Sequence, residues 1–180
     1  MKKAALIIFS LAITIVSYSQ DYKVNKIKTE NKGDFKTTRL LMLTDSVAEI
    51  DINEFIVEFA TTLKTEFEKN NVQFIYLRRG CIDDEQLRST LNDFKPDATI
   101  EFMPTRLFVR YRGFSQKNGL EFRLNMSFTS SENKDLILAF TTKIEVMVDS
   151  FENAGVPAAL KIFDYIEKAG YLSKEELKSN

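Results

Sequence analysis

The chain has 180 residues, 25 basic and 26 acidic, for a formal charge of −1, with no His, no Trp and one Cys. That length suits one domain with a proper core, and the near-neutral balance excludes a broad electrostatic attraction to nucleic acid. The lack of His removes the commonest general base and the commonest transition-metal ligand together, while a lone Cys excludes an internal disulfide.

Residues 1–19 read as a cleavable secretory signal peptide. Lys2 and Lys3 supply a positive start, and residues 4–16 are apolar apart from Ser10 and Thr14. Ser17 and Ser19 then place small side chains three before and one before a cut ahead of Gln20, completing the tripartite pattern. A permanent anchor needs roughly 20 apolar residues, more than this run offers. No Cys stands near the cut to take a lipid. The expected product is free, with no permanent membrane anchor, in the periplasm or outside the cell. Losing Lys2 and Lys3 leaves 161 residues with 23 basic against 26 acidic, a formal charge of −3.

Residues 20–36 are polar and lysine-dotted and read as a flexible leader to a single domain over 37–172. Residues 39–44 (RLLMLT) form a short apolar run suited to a buried strand. Asp51 and Glu54 make a capping box for a first helix, with Ile52, Phe55, Ile56, Phe59, Leu63 and Phe67 on one face. Asn70-Asn71 ends it, and residues 72–78 form the next strand. A second helix starts at Asp83 with Gln86 completing its box. Leu87, Leu91 and Phe94 line its apolar face, and Pro96 forces the exit at Lys95. Residues 98–103 form a third strand, which Pro104 breaks or bends, and residues 105–112 continue it.

Asn118-Gly119 carries the type I′ hairpin signal. Leu120, Phe122, Leu124, Met126 and Phe128 alternate with polar residues after it. A turn there pairs Lys117 with Leu120, Tyr111 with Met126 and Val109 with Phe128, and buries Val109 and Tyr111. Residues 136–148 are the final strand, with Leu138, Phe140, Ile144, Val146 and Val148 inward. Keeping those residues inward requires an odd-count loop of three or five residues before it. The last helix runs from about Pro157 to Ala169 on an apolar face of Ala159, Leu160, Phe163 and Ile166. Gly170 stops it, and Tyr171 folds back on Ile166. Residues 173–180 form a C-terminal tail.

The order β-α-β-α-β-β-β-β-α predicts an α/β fold of α+β character. Its mixed sheet carries helices mainly on one face and ends in an antiparallel meander. With the phrase Lys95-Pro96-Asp97-Ala98-Thr99-Ile100 leading into the central strand, this order over residues 38–172 resembles the α/β modules of bacterial envelope assembly proteins. The amino-terminal domain of TolB and the CsgG-like secretion accessories are the examples. The resemblance implies an accessory role in the cell envelope and supplies no diagnostic site residues.

No catalytic or metal motif accompanies this fold. Asp83, Asp84 and Glu85 suit the start of a helix, where the dipole favours acids. Cys81 has no second Cys or His beside it in sequence and reads as a small buried hydrophobe. No G-x-S-x-G, S-x-x-K or phosphate-binding glycine loop occurs. No enzyme activity and no cofactor or metal are therefore expected. One constellation stands out on the outward face of the hairpin. The expected register places Arg110 opposite Ser127, Arg112 opposite Asn125, Phe108 opposite Thr129 and Phe114 opposite Arg123, with Lys143 beside Arg123. These six residues form the candidate binding site, since Arg and aromatic side chains are enriched at interface hot spots. An ordinary solvated sheet face is the competing reading. The expected function is a non-catalytic exported accessory protein contacting another envelope protein through a sheet face or edge. The alternative is a carrier of a small amphipathic or anionic ligand.

Intact-mass and N-terminal analysis of the native protein should show a chain beginning within a few residues of Gln20. Recovery of a cytosolic chain beginning at Met1 contradicts the export reading.

Overall fold

A computed structural model of the chain describes residues 21–29, 36–45, 50–112, 114–129, 135–151 and 153–172. The proposed signal segment and C-terminal tail lie outside the described residues. The elements are β1 (Asp21–Thr29), β2 (Arg39–Asp45), α1 (Ile50–Lys69), β3 (Gln73–Arg79), α2 (Asp84–Phe94), β4 (Ala98–Arg112), β5 (Ser115–Thr129), β6 (Leu136–Val148) and α3 (Gly155–Lys168). Six strands form one sheet in the order β1-β6-β5-β4-β2-β3. β2 runs parallel to β3 and β4, and β4, β5, β6 and β1 are antiparallel neighbours. Two α/β units followed by a meander is the architecture expected. Asp21–Thr29 goes beyond it, because part of the segment read as a leader is an edge strand on β6.

β2 lies between β3 and β4, so the two crossovers travel in opposite directions across the sheet. Right-handed connections then place α1 and α2 on opposite faces. Leu40 and Met42 of β2 belong to the main core with α1 and α3, while Leu41 and Leu43, pointing the other way, are also buried. α2 is the lighter cover and has no fully buried residue; its expected apolar residues Leu87, Leu91 and Phe94 are half-buried. Its ends follow local chemistry closely. Asp83 accepts from the Gln86 amide at 2.7 Å, and the reciprocal half of the capping box is present. Lys95 ends the helix in a left-handed conformation at φ 49°. α1 begins at Ile50, so Asp51, expected to cap it, lies within the helix, and its side chain lies outside the described ones.

The main core is aromatic. Phe102 of β4 and Phe122 of β5 stack with ring centroids 4.3 Å apart. From α1, Phe59 closes on Phe102 at 5.3 Å and Phe55 on Phe122 at 5.9 Å. α3 packs beside α1, with Phe163 edge-on to Phe67 at 5.3 Å. Its start is built by α1: the Glu58 carboxylate accepts from the Asn153 and Gly155 amides at 3.0 and 3.1 Å. That charge caps a helix whose own N-cap, Ala154, has no side-chain acceptor. Gly155 permits the approach, since a Cβ there would stand 2.4 Å from the Phe55 carbonyl oxygen. α3 begins two residues before Pro157, and Leu160, expected inward, is exposed while Ile162 is buried.

Asp97 ties the amino-terminal end of the parallel strands together. Its carboxylate accepts from the Thr37 hydroxyl (2.7 Å), the Thr38 amide and hydroxyl (2.9 and 2.6 Å) and the Arg39 amide (3.1 Å). Its own amide donates to the Arg39 carbonyl, and its carbonyl accepts from the Thr129 amide. One residue thereby anchors the starts of β2 and β4 and the end of β5. Nearby, Gly170 at φ 79° lets Tyr171 fold back so that its amide reaches the Ile166 carbonyl. The Tyr171 ring then packs on Phe128 and Phe140.

Two register expectations are corrected. The chain reverses between the paired Arg112 and Ser115, and Asn118-Gly119 sits inside β5. Neither residue has a positive φ, so the conformation that makes Asn-Gly a turn signal is absent. Burial explains the choice. The observed pairing sets Ala98, Ile100 and Phe102 opposite Phe128, Met126 and Leu124, all buried in one core. A turn at Asn118-Gly119 spends those partners on Val109 and Tyr111, which are exposed. The second correction concerns the loop before β6. Six residues separate the paired Thr129 and Leu136, an even count. A bulge at Ala139, between the Ser127↔Leu138 and Met126↔Phe140 pairs, supplies the odd residue instead.

Two substitutions test this framework by denaturant unfolding. Phe122→Ala should destabilise by about 3–5 kcal/mol, as buried aromatic truncations do. Asp97→Ala should cost about 2–4 kcal/mol, because it removes a charged acceptor from several donors at once. A loss under about 1 kcal/mol for Asp97→Ala contradicts its anchoring role.

Candidate functional site

β4 pairs with β2 only from Ala98 to Phe102, then runs on to Arg112 against β5 alone. Past Phe102 its outer edge has no strand partner among the described residues. β6 accompanies β5 from Asn118 onward, so the pairs Arg110–Lys117, Tyr111–Gln116 and Arg112–Ser115 extend past it as a two-stranded ribbon. A bulge between Pro104 and Arg106 leaves Thr105 as the extra residue, so the strand is bent and not broken. The bulge inverts which residues face the helices. Ala98, Ile100 and Phe102 point into the core, whereas beyond it Leu107, Val109 and Tyr111 take that side. The helices do not cover them there: they are 41, 47 and 74% exposed. Phe114, at the turn, is fully exposed.

The opposite side is polar and ordered. Phe108 lies over Gly119, where a Cβ would come within 2.4 Å of its ring. The Arg106 and Arg110 guanidiniums sit 4.9 and 5.1 Å from the Phe108 centroid. Arg110 also reaches Glu145 of β6 at 3.0 Å. Lys143 pairs with Glu121 at 2.7 Å, and the Thr105 hydroxyl donates to the same Glu121 side chain at 3.1 Å. The Lys143 ammonium foremost, with the Thr105 hydroxyl, holds the Glu121 carboxyl below its ordinary range, against a smaller opposing effect of burial.

Of the six candidate residues, Phe108, Arg110, Arg123 and Lys143 share this face. Arg123 stands opposite Lys143 on β6. The cross-strand partners on β4–β5 differ from those expected. Phe108 faces Gly119, Arg110 faces Lys117 and Arg123 faces Met103, because the turn lies elsewhere. Phe114 is at the ribbon tip, away from Arg123. Arg112 is paired with Ser115, and its side chain lies outside the described ones. Leu107, Val109, Tyr111 and Arg106 were missed. One sequence signal marks them: residues 102–120 hold Arg106, Arg110, Arg112 and Lys117 and not one acid.

Other candidates for chemistry are sparser. Cys81 is exposed, not the buried hydrophobe expected. At the carboxyl ends of the parallel strands, where open α/β sheets often hold ligands, Arg79 is ion-paired with Glu101 at 2.8 Å and lies 3.8 Å from Asp45. Among the described residues no three His, Cys, Asp or Glu side chains gather as a metal site. An open groove of about 420 Å³ follows the free edge of β3, between Val57, Ala60 and Lys64 of α1 and Thr90 of α2.

The Glu121 arrangement gives a titration test. A carboxyl whose pKa is lowered by folding contributes stability above its unfolded pKa, and that contribution fades as pH falls through the folded value. Carbon-13 titration of the Glu121 carboxyl should therefore give a midpoint below 4.5, and Lys143→Met should raise it. An unchanged midpoint in the variant removes Lys143 as the cause.

No family model matches the sequence, and no curated protein matches it. Several solved structures are similar in chain path. A PelC dodecamer from Paraburkholderia phytofirmans aligns with a TM-score of 0.46 at 8% identity, covering 84% of this chain and 99% of that one. Lipoprotein GNA1162 from Neisseria meningitidis aligns at 0.43 and 10% identity, covering 73% and 99%. The hypothetical protein CT253 from Chlamydia trachomatis aligns at 0.43 and 8%, covering 74% and 96%. These names differ from the TolB and CsgG modules to which the order of elements pointed.

Proposed function

We propose that the chain is an exported, non-catalytic protein of the cell envelope that binds a partner through the projecting β4–β5 hairpin. The observation carrying this reading is the ribbon itself. It exposes an apolar row of Leu107, Val109 and Tyr111 on one side and at its tip Phe114. Arginines stacked on Phe108 occupy the other side. A strand that outruns its neighbour leaves backbone donors and acceptors unpaired on one edge, a costly feature that proteins normally cover or blunt. Exposed apolar side chains clustered beside such an edge suit a contact surface. The partner called for is apolar and anionic at its binding surface. Export rests on residues 1–19, and the non-catalytic reading on the lack of His and of any nucleophile motif.

The carrier alternative finds little support. The space between the sheet and α1 is occupied by Phe55, Phe59, Phe102 and Phe122 in mutual contact. The β3 groove is an open channel on the outside of the sheet, where a small ligand stays largely wet.

Retention of the processed chain on its own envelope fraction tests the proposal. Tyr111→Ser/Phe114→Ser changes only exposed side chains, so melting should stay within about 0.5 kcal/mol of the parent. Retention should fall by at least about tenfold, since exposed aromatics at a binding surface act as hot spots. A double variant that melts and is retained like the parent rules the hairpin out.

A further inference from the structure

We infer that the surface on which the hairpin seats is an anionic lipid bilayer, entered tip first. The inference rests on the hairpin being the binding site and names what it binds. Charge is the first argument. The projecting strands over 110–117 carry Arg110, Arg112 and Lys117 and no acid, with Arg110 meeting Glu145 at their base, in a processed chain of formal charge −3, so the remainder stands at −6. The body is repelled by an anionic surface while the hairpin is attracted, which orients the molecule before contact. At about 0.1 M salt the screening length is about 10 Å. The two-stranded ribbon runs about three residues per strand past the last β5–β6 pair, Asn118↔Val148, roughly 10 Å at strand rise. That suffices for the tip to meet the surface while the acidic body is screened from it.

Geometry is the second argument. Among the described residues the most exposed aromatics, Tyr111 and Phe114, stand at the end of the projection, a convex point and not a flat face. The amphipathic Tyr ring suits the depth of the headgroups, and a Phe ring suits the acyl boundary beside it. Below them Val109 and Leu107 continue the apolar side, while Arg106, Phe108 and Arg110 alternate onto the other. Such a ribbon can set its tip at the acyl boundary with its cations at the level of the phosphates, as interfacial amphipathic elements do. Among the described residues no helix is long and apolar enough to cross a membrane. A protein partner of matching charge would use the same rings as hot spots, so it is the projecting shape of the tip, and not its aromatics alone, that favours a bilayer.

Vesicle flotation tests it with the processed chain. Partition onto phosphatidylglycerol–phosphatidylcholine vesicles should exceed that onto pure phosphatidylcholine by at least about tenfold and collapse in 0.5 M salt, where screening is strong. Arg112→Gln/Lys117→Gln should weaken anionic binding by about tenfold or more. Phe114→Ala should weaken anionic binding at about 0.1 M salt with no change in melting. If the chain ignores anionic vesicles yet its envelope retention still needs Tyr111 and Phe114, the lipid inference falls and the hairpin site stands. If it floats with anionic vesicles and neither variant matters, the lipid inference falls, and the site moves off the hairpin.

Discussion

What is buried and what projects in this chain both follow from the register between β4 and β5. Pairing Ala98 with Phe128 and Phe102 with Leu124 brings the Phe102 and Phe122 rings into a 4.3 Å stack, onto which Phe55 and Phe59 of α1 close. With that half of the hairpin committed to the core, β4 runs on past Phe102 with no strand on its outer edge among the described residues, because β2 ends its pairing there, and β6 leaves β5 at Asn118. The protruding ribbon is thus a by-product of core packing. Its exposed apolar side is the continuation of the same alternation past the place where the helices stop.

A second constraint acts at the opposite end of the sheet. Asp97 gathers donors from Thr37, Thr38 and Arg39, holding the start of β2 against that of β4. It stands just after Lys95, which ends α2 in a left-handed turn, and Pro96, which cannot extend a helix. The phrase Lys95-Pro96-Asp97 therefore has a mechanical reading: end the helix, turn, and clamp the neighbouring strand. The β4–β5 register and this clamp together define the central strand from both ends.

Much of the fold was legible because local signals and burial agree. The Asp83 capping box, the left-handed exit at Asn71, the end of α2 at Lys95 and the apolar faces of α1 and β2 all follow from spacing alone, whereas the left-handed turn of Lys95 was not expected. Where the reading failed, a local signal lost to packing. Asn118-Gly119 is a turn dipeptide only when its residues adopt positive φ. Here the gain from burying Leu124, Met126 and Phe128 against β4 outweighs it, and Gly119 instead makes room for the Phe108 ring. The Ala139 bulge that restores β6 parity has no sequence marker, and neither does the capping of α3 by Glu58. The candidate face was legible through its alternation, which survives the register error on β5 and β6. Its apolar counterpart was not, because Val109 and Tyr111 look like core residues until the strand is known to outrun its cover.

The account stands on the β4–β5 register, and a cross-strand cysteine pair reads it directly. In a Cys81→Ser background, Tyr111→Cys/Gln116→Cys joins Cα partners of the observed ladder, close enough for a disulfide without backbone movement. Tyr111→Cys/Met126→Cys joins the partners required by a turn at Asn118-Gly119. Mild oxidation followed by intact-mass analysis of both proteins measures which pair closes. The structure predicts rapid, near-complete bridging of 111 with 116 and none of 111 with 126. Bridging of 111 with 126 alone contradicts the register, and with it the projecting hairpin and the binding role assigned to it.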